Sequence, residues 1–188
     1  LGIDTMTRAV PPYGCDLNRQ FPGDRRGLFP QRIAAAVVDA VRGAALVVDV
    51  HASNIYLREI PQVRIATEFA DTLVPLARTM NLDVIWVHGA MTVLEATLAH
   101  STNALGTPCL VVEMGVGMRV TPVFTEQVLV GLLHTWKSLG VIDPRLEIPA
   151  LSHAPLVADD GNVRYLNAET SGLFIPEIEH WTGVADGQ

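Results

Sequence analysis

The run Ala45-Leu46-Val47-Val48-Asp49-Val50-His51 decides the fold. It is short, almost wholly apolar and rich in β-branched residues, the pattern of a strand buried on both faces of a parallel sheet. A histidine stands at its C-terminal end. Two runs of the same kind follow, residues 83–87 leading to His88-Gly89 and residues 108–112 ending at Glu113. Helical spacing fills the intervals. Ile33, Val37, Val38 and Val41 predict a helix over 31–42, with Pro30 at its first turn and Gly43 ending it. A second helix is expected over 67–80, kinked or shortened by Pro75. A third is expected over 92–100, with Thr92 and Glu95 at capping-box spacing. The longest is expected over 121–139, between Pro122 and Gly140.

Strands alternating with helices predict an α/β fold: a mainly parallel, mixed sheet covered by helices on both faces. Residues 52–65, with Ser53, Asn54, Arg58, Glu59 and Arg64, read as a polar loop. From about residue 144 proline and glycine become frequent and short alternating runs appear, at Val163-Arg164-Tyr165-Leu166 and Leu173-Phe174-Ile175. The chain therefore divides into an α/β unit over 1–143 and a linker with the start of a small β domain over 144–188.

With 188 residues, 49% of them hydrophobic, the chain can bury one full α/β core and part of a second unit. A formal charge of −7 and the lack of any basic stripe argue against a nucleic-acid partner. No apolar run approaches the ~20 residues that cross a bilayer, so no membrane partner is expected. Cys15 and Cys109 lie far apart and form no C-x-x-C, which fits a reduced, cytoplasmic setting.

The chemistry starts at Cys15-Asp16-Leu17-Asn18-Arg19-Gln20-Phe21-Pro22-Gly23. An amide beside a forked guanidinium, fixed on a loop by Pro-Gly, can grip a carboxylate through parallel N–H donors. A salt-bridged turn is the plainer reading. His51 and Glu113 both follow buried strands, on the edge of an open α/β sheet where ligands bind. His51 alone could be structural. Glu113, directly after an apolar run, needs a partner or a raised pKa. His88 and His100 read as core or surface histidines, and Cys109 as inert packing. Arg58 and Arg64 could recognise an acidic acyl group or merely cap the sheet. Thr102 and Asn103 are candidates for the pocket wall. Without a G-x-S-x-G, Ser53 has little support as a nucleophile.

Arg8, then Asp16-Leu17-Asn18-Arg19 with Phe21-Pro22-Gly23, then Asp49-Val50-His51, then Val112-Glu113-Met114-Gly115, in that order, resemble the succinylglutamate desuccinylase/aspartoacylase family. That family is a branch of the zinc carboxypeptidase superfamily. The similarity covers roughly residues 1–140, and residues 168–176 are similar to the start of the small β domain that follows in these proteins. The resemblance implies a zinc-carboxypeptidase-like fold and a zinc-dependent amidohydrolase that removes an acyl group from an N-acyl amino acid or similar small amide. It implies one Zn2+ held by His51 and by the histidine and glutamate of an upstream H-x-x-E. Glu113 would be the general base and acid, Arg8 would stabilise the oxyanion, and Asn18 with Arg19 would clamp the substrate carboxylate. Asp16 would orient a ligand histidine.

This sequence contains no H-x-x-E: none of its six histidines has a glutamate three residues on. The reading is a chain cut at both ends, whose full-length protein is the hydrolase and which by itself is inactive. Sheet edges bared by such a cut would let copies pair, so a homo-oligomer is allowed. Two other readings share the same residues: a metallocarboxypeptidase acting on peptides, and a metal-free binding module of the same fold.

Overall fold

The computed structural model describes residues 2–52, 55–89 and 95–186. Ser53, Asn54 and Thr92 lie outside them. A short helix α1 (Gly2–Thr5) precedes a two-stranded antiparallel ribbon, β1 (Ala9–Val10) and β2 (Cys15–Asp16), which runs into a 3-10 turn over Leu17–Arg19. Then come α2 (Phe29–Val41), β3 (Val47–His51), β4 (Glu59–Ala66), α3 (Ala70–Ala77), β5 (Val84–His88), α4 (Leu98–Ala104), β6 (Cys109–Gly115), α5 (Pro122–Ser138) and β7 (Leu156–Asp159).

The main sheet has the order β3-β6-β4-β5-β7. The β6–β4 pairing is antiparallel and the other three are parallel, so the sheet is mixed. Paired residues share a face. Val63 and Ile65 of β4, Ile85 of β5, and Leu110 and Val112 of β6 meet Leu73 and Ala77 of α3 and Val128 of α5 in a sealed apolar cluster. The opposite face is covered by α4, whose Thr102 approaches the Cys109 thiol and whose Asn103 bonds the Cys109 backbone twice. Beyond α4 lies α2, packed through Phe21, Ala34, Val38 and Leu98.

Four sequence expectations need correction. Residues 52–65 are not all loop: β4 is an inner strand, its alternate residues Val63 and Ile65 buried in the core. The strand at 47–51 is not buried on both faces, because it forms an edge and Val50 is half exposed. The helix expected over 92–100 begins at Leu98, where the Thr97 hydroxyl caps the His100 N–H. The runs at 163–166 and 173–175 form no strand, and β7 joins the main sheet beside β5. Pro75 does shorten the second helix, which starts as a 3-10 turn over Thr67–Phe69 and ends at Ala77.

Asn81 pins the chain beyond α5. It adopts φ +54°, in the left-handed region that asparagine tolerates. Its Nδ2 donates to the Gln127 carbonyl at 3.0 Å, and its Oδ1 accepts from the Ser152 and His153 N–H groups at 2.9 and 3.0 Å. Next to it, Asp83 Oδ1 lies 2.7 Å from His153 Nδ1, at ion-pair distance.

Candidate active site

Parallel pairing of β3 with β6 sets His51 opposite Glu113 and Asp49 opposite Val111. The antiparallel neighbour β4 sets Gln62 opposite Glu113 and Arg64 opposite Val111. Asp49, His51, Gln62, Arg64 and Glu113 therefore share the face turned away from the apolar cluster. Trp86, paired with Arg64 on β5, lies beneath its guanidinium at 5.6 Å.

Glu113 lies within β6 rather than after it, and its side chain is only 9% exposed. Oε1 is 3.8 Å from Arg64 Nη1, and Oε2 has no hydrogen-bond partner among the described residues. Burial pushes its carboxyl pKa up. Arg64 pulls it back, while Glu59 adds to the rise. Arg64 is ion-paired to Glu59, which also accepts from Gln62 Nε2 at 3.4 Å. His51 Nε2 lies 2.9 Å from Asp49 Oδ2, an ion-pair contact that falls short of hydrogen-bond geometry, and has no other partner among the described residues. The Asp49 carboxylate holds the imidazole pKa up against the cost of burial.

The N-terminal ribbon delivers the remaining candidates. Asp16 Oδ1 accepts the Asn18 N–H at 2.9 Å and caps the 3-10 turn. Asp16 Oδ2 takes Nε and Nη2 of Arg8 at 3.0 and 2.9 Å. The Asn18 side chain accepts the Leu98 N–H at 2.9 Å, tying the turn to the start of α4. Arg19 Nη1 donates to the Asn18 carbonyl at 2.6 Å. Gly23 closes the loop against α2 at φ +86°, where a Cβ would run into the backbone of Gln31 and Ala35.

All six residues singled out in the sequence line one cavity of about 990 Å³: Arg8, Asp16, Asn18, Arg19, His51 and Glu113. Arg64, His88, His100 and Asn103 line it too. His88 Nδ1 lies 3.1 Å from the Gly89 carbonyl, and His100 Nε2 lies 3.8 Å from Glu68 Oε1. Arg58 points elsewhere, pairing with Glu179 at 3.3 Å and lying over Phe124. Glu59, read from the sequence as part of a polar loop, does not itself line the cavity but holds Arg64, which does; the signal was its place five residues before Arg64 on an alternating strand. Cys109 also borders the cavity, and burial pushes its thiol up to about 12.

The buried Nε2 of His51, which makes no well-formed hydrogen bond and meets only Asp49, suits a metal ligand. One ligand does not hold zinc, and among the described residues no three histidine, cysteine, aspartate or glutamate side chains gather around a common point. These residues do not by themselves make a zinc site.

No family model and no curated protein matches the chain. Solved structures do. A succinylglutamate desuccinylase/aspartoacylase from Rhodobacter sphaeroides superposes with a TM-score of 0.70 and 24% identity, over 84% of this chain and 49% of that one. A succinylglutamate desuccinylase from Silicibacter sp. TM1040 gives 0.74 and 20%, over 94% of this chain and 54% of that one. The product-bound ectoine utilization protein EutE from Ruegeria pomeroyi gives 0.70 and 18%, over 84% and 48%. These likenesses show that the chain has the α/β fold of those structures. The chain spans about half their length.

Proposed function

We propose that the protein carrying this span is a deacylase-type hydrolase that cleaves the amide bond of an N-acyl amino acid or similar small amide. The observation that supports this best is the convergence of Arg8, Asn18, Arg19, His51 and Glu113 on one cavity, with a desolvated carboxylate beside an imidazole whose buried nitrogen meets only Asp49. The fold shared with desuccinylase and aspartoacylase structures points the same way.

In this reading Arg19 and Asn18 hold the substrate carboxylate, which turns binding energy into orientation of the amide. Glu113, kept basic by burial, takes a proton from water as its oxygen attacks the carbonyl carbon. Arg8, braced by Asp16, faces the developing oxyanion. Glu113 then gives the proton to the leaving nitrogen, the C–N bond breaks, and a carboxylate and an amine result. His51 would be one zinc ligand, completed by groups outside the described residues, and zinc bound there would supply Lewis acidity. Cys15 and Cys109 are both free thiols, which fits the reduced, cytoplasmic setting expected from the sequence. No helix among the described residues is long and apolar enough to cross a membrane. Because β7 belongs to the main sheet, only the residues beyond it are read as the link to a further β-rich unit.

The test is full-length protein, analysed for zinc and assayed on N-acetyl- and N-succinyl-amino acids beside a panel of C-terminal peptides. Release of free amino acid from the N-acyl compounds supports the reading. Preference for peptides replaces it with a carboxypeptidase, and absence of both zinc and turnover replaces it with a binding module.

A further inference from the structure

We infer that Arg64 is a positioning residue for Glu113: its guanidinium fixes one carboxylate oxygen, Oε1, and leaves Oε2 to take the proton from water. The inference rests on the deacylase reading and adds a residue to the machinery of that same site.

Arg64 Nη1 lies 3.8 Å from Glu113 Oε1, while Oε2 has no hydrogen-bond partner among the described residues. That distance is an ion pair rather than a direct hydrogen bond, and contacts of this kind tighten when substrate fills a site. The backbone under Arg64 is fixed from both sides. Arg64 is paired with Val111 of β6 and with Trp86 of β5, and its chain neighbours Val63 and Ile65 are sealed in the apolar cluster. The far end of the side chain is held as well. It is ion-paired to Glu59, itself buried, and lies over the Trp86 ring at 5.6 Å. A planar fork serves three neighbours at once, offering a nitrogen to each carboxylate and its flat face to the ring. Arg8 is the contrast: it lies outside the main sheet and its side chain is 68% exposed, against 32% for Arg64. A group that holds another in reacting geometry works best from a rigid strand with its own supports. Arg64 has that setting, and the buried Glu113 carboxylate needs such a partner to keep its charge.

The experiment uses the full-length, zinc-loaded protein and the N-acyl amino acid that it hydrolyses fastest. Arg64→Gln should lower kcat by about 10- to 100-fold and move KM by no more than about 2-fold, as misplacement of a reacting group does. Arg64→Lys keeps the charge but not the fork and should recover about 3-fold or more of that loss. The decisive comparison repeats the change in Glu113→Gln protein. There Arg64→Gln should alter the residual kcat by less than about 2-fold, because no carboxylate is left to place. Substrate affinity of Glu113→Gln protein, read by calorimetry, should be equally indifferent to it. Where Arg64→Gln does not fold, Arg64→Lys in the two backgrounds makes the same comparison. An equal loss of kcat in both backgrounds overturns this inference and leaves the deacylase reading standing. A rise of about 10-fold or more in KM or in the calorimetric Kd makes Arg64 a substrate contact and overturns it too. Absence of turnover by the unsubstituted protein overturns the deacylase reading and this inference with it.

Discussion

The two faces of the central sheet differ by a single step along each strand. On β6, Leu110 and Val112 are fully buried against α3 and α5, while Val111 and Glu113 face the cavity. On β4, Val63 and Ile65 enter the apolar cluster, and Gln62 and Arg64 face outward between them. The sealed face gives rigidity and the open face holds five ionisable groups, Asp49, His51, Glu59, Arg64 and Glu113, close together. Charges that would relax in a loop are fixed here because every second residue is locked in a close-packed core. The division teaches that stability and chemistry are separable, residue by residue, on one strand.

Substitutions on the open face should therefore change chemistry without melting the protein. Glu113→Gln should lower kcat by about 100- to 10,000-fold, as loss of a general base does. Its thermal midpoint should hold or rise, because a desolvated carboxylate is removed. A large fall in the midpoint would show that the faces are not independent. The converse is Leu110→Ala, which should cost about 2–5 kcal/mol in urea unfolding and leave KM nearly unchanged where the protein is folded. Asn18→Ala sits between the two, because its side chain both lines the cavity and ties the turn to α4. Loss of that hydrogen bond should cost about 1 kcal/mol of stability, and KM should rise as the carboxylate clamp loosens.

The smallest expected effect is a null. The Cys109 thiol, held up to about 12 by burial, stays protonated at pH 9, so iodoacetamide should label only Cys15 in native protein. The linkage has a sign. A thiol whose pKa is raised in the folded state leaves stability untouched below the ordinary thiol value and erodes it as pH climbs from there towards 12. A Cys109→Ala protein should lose that alkaline decline, which pH-dependent unfolding would show.

How much was legible in the sequence follows the same division. β3, β5 and β6 announce themselves as apolar runs, and α2 and α5 by helical spacing with proline at the start and glycine beyond the end. β4 was hidden because its outward residues are Glu59, Gln62 and Arg64, the polar groups a site requires, and Pro61 interrupts what remains. A strand that builds a polar cavity looks like a loop when only its composition is read. The start of α4 was not legible because Leu98 is fixed there by a tertiary contact with Asn18, beside the Thr97 cap. β7 was hidden in a tail whose proline and glycine content pointed to a new unit. The six motif residues named from the resemblance all line the one cavity. Their partners were not legible, since Arg64 and Glu59 acquire their meaning only once β4 lies beside β6.

The Asn81 amide has a practical consequence for anyone shortening this protein. A version ending before residue 152 would strip its carbonyl oxygen of both backbone donors inside a region that water does not reach. The end of β5 would then lose Ala158 and Asp159 of its parallel neighbour as well. A cut after Asn162 would keep β7 together with Asp160, which accepts from Trp86 Nε1 and from the Gly89 N–H, and would give up only contacts such as the Arg58–Glu179 pair.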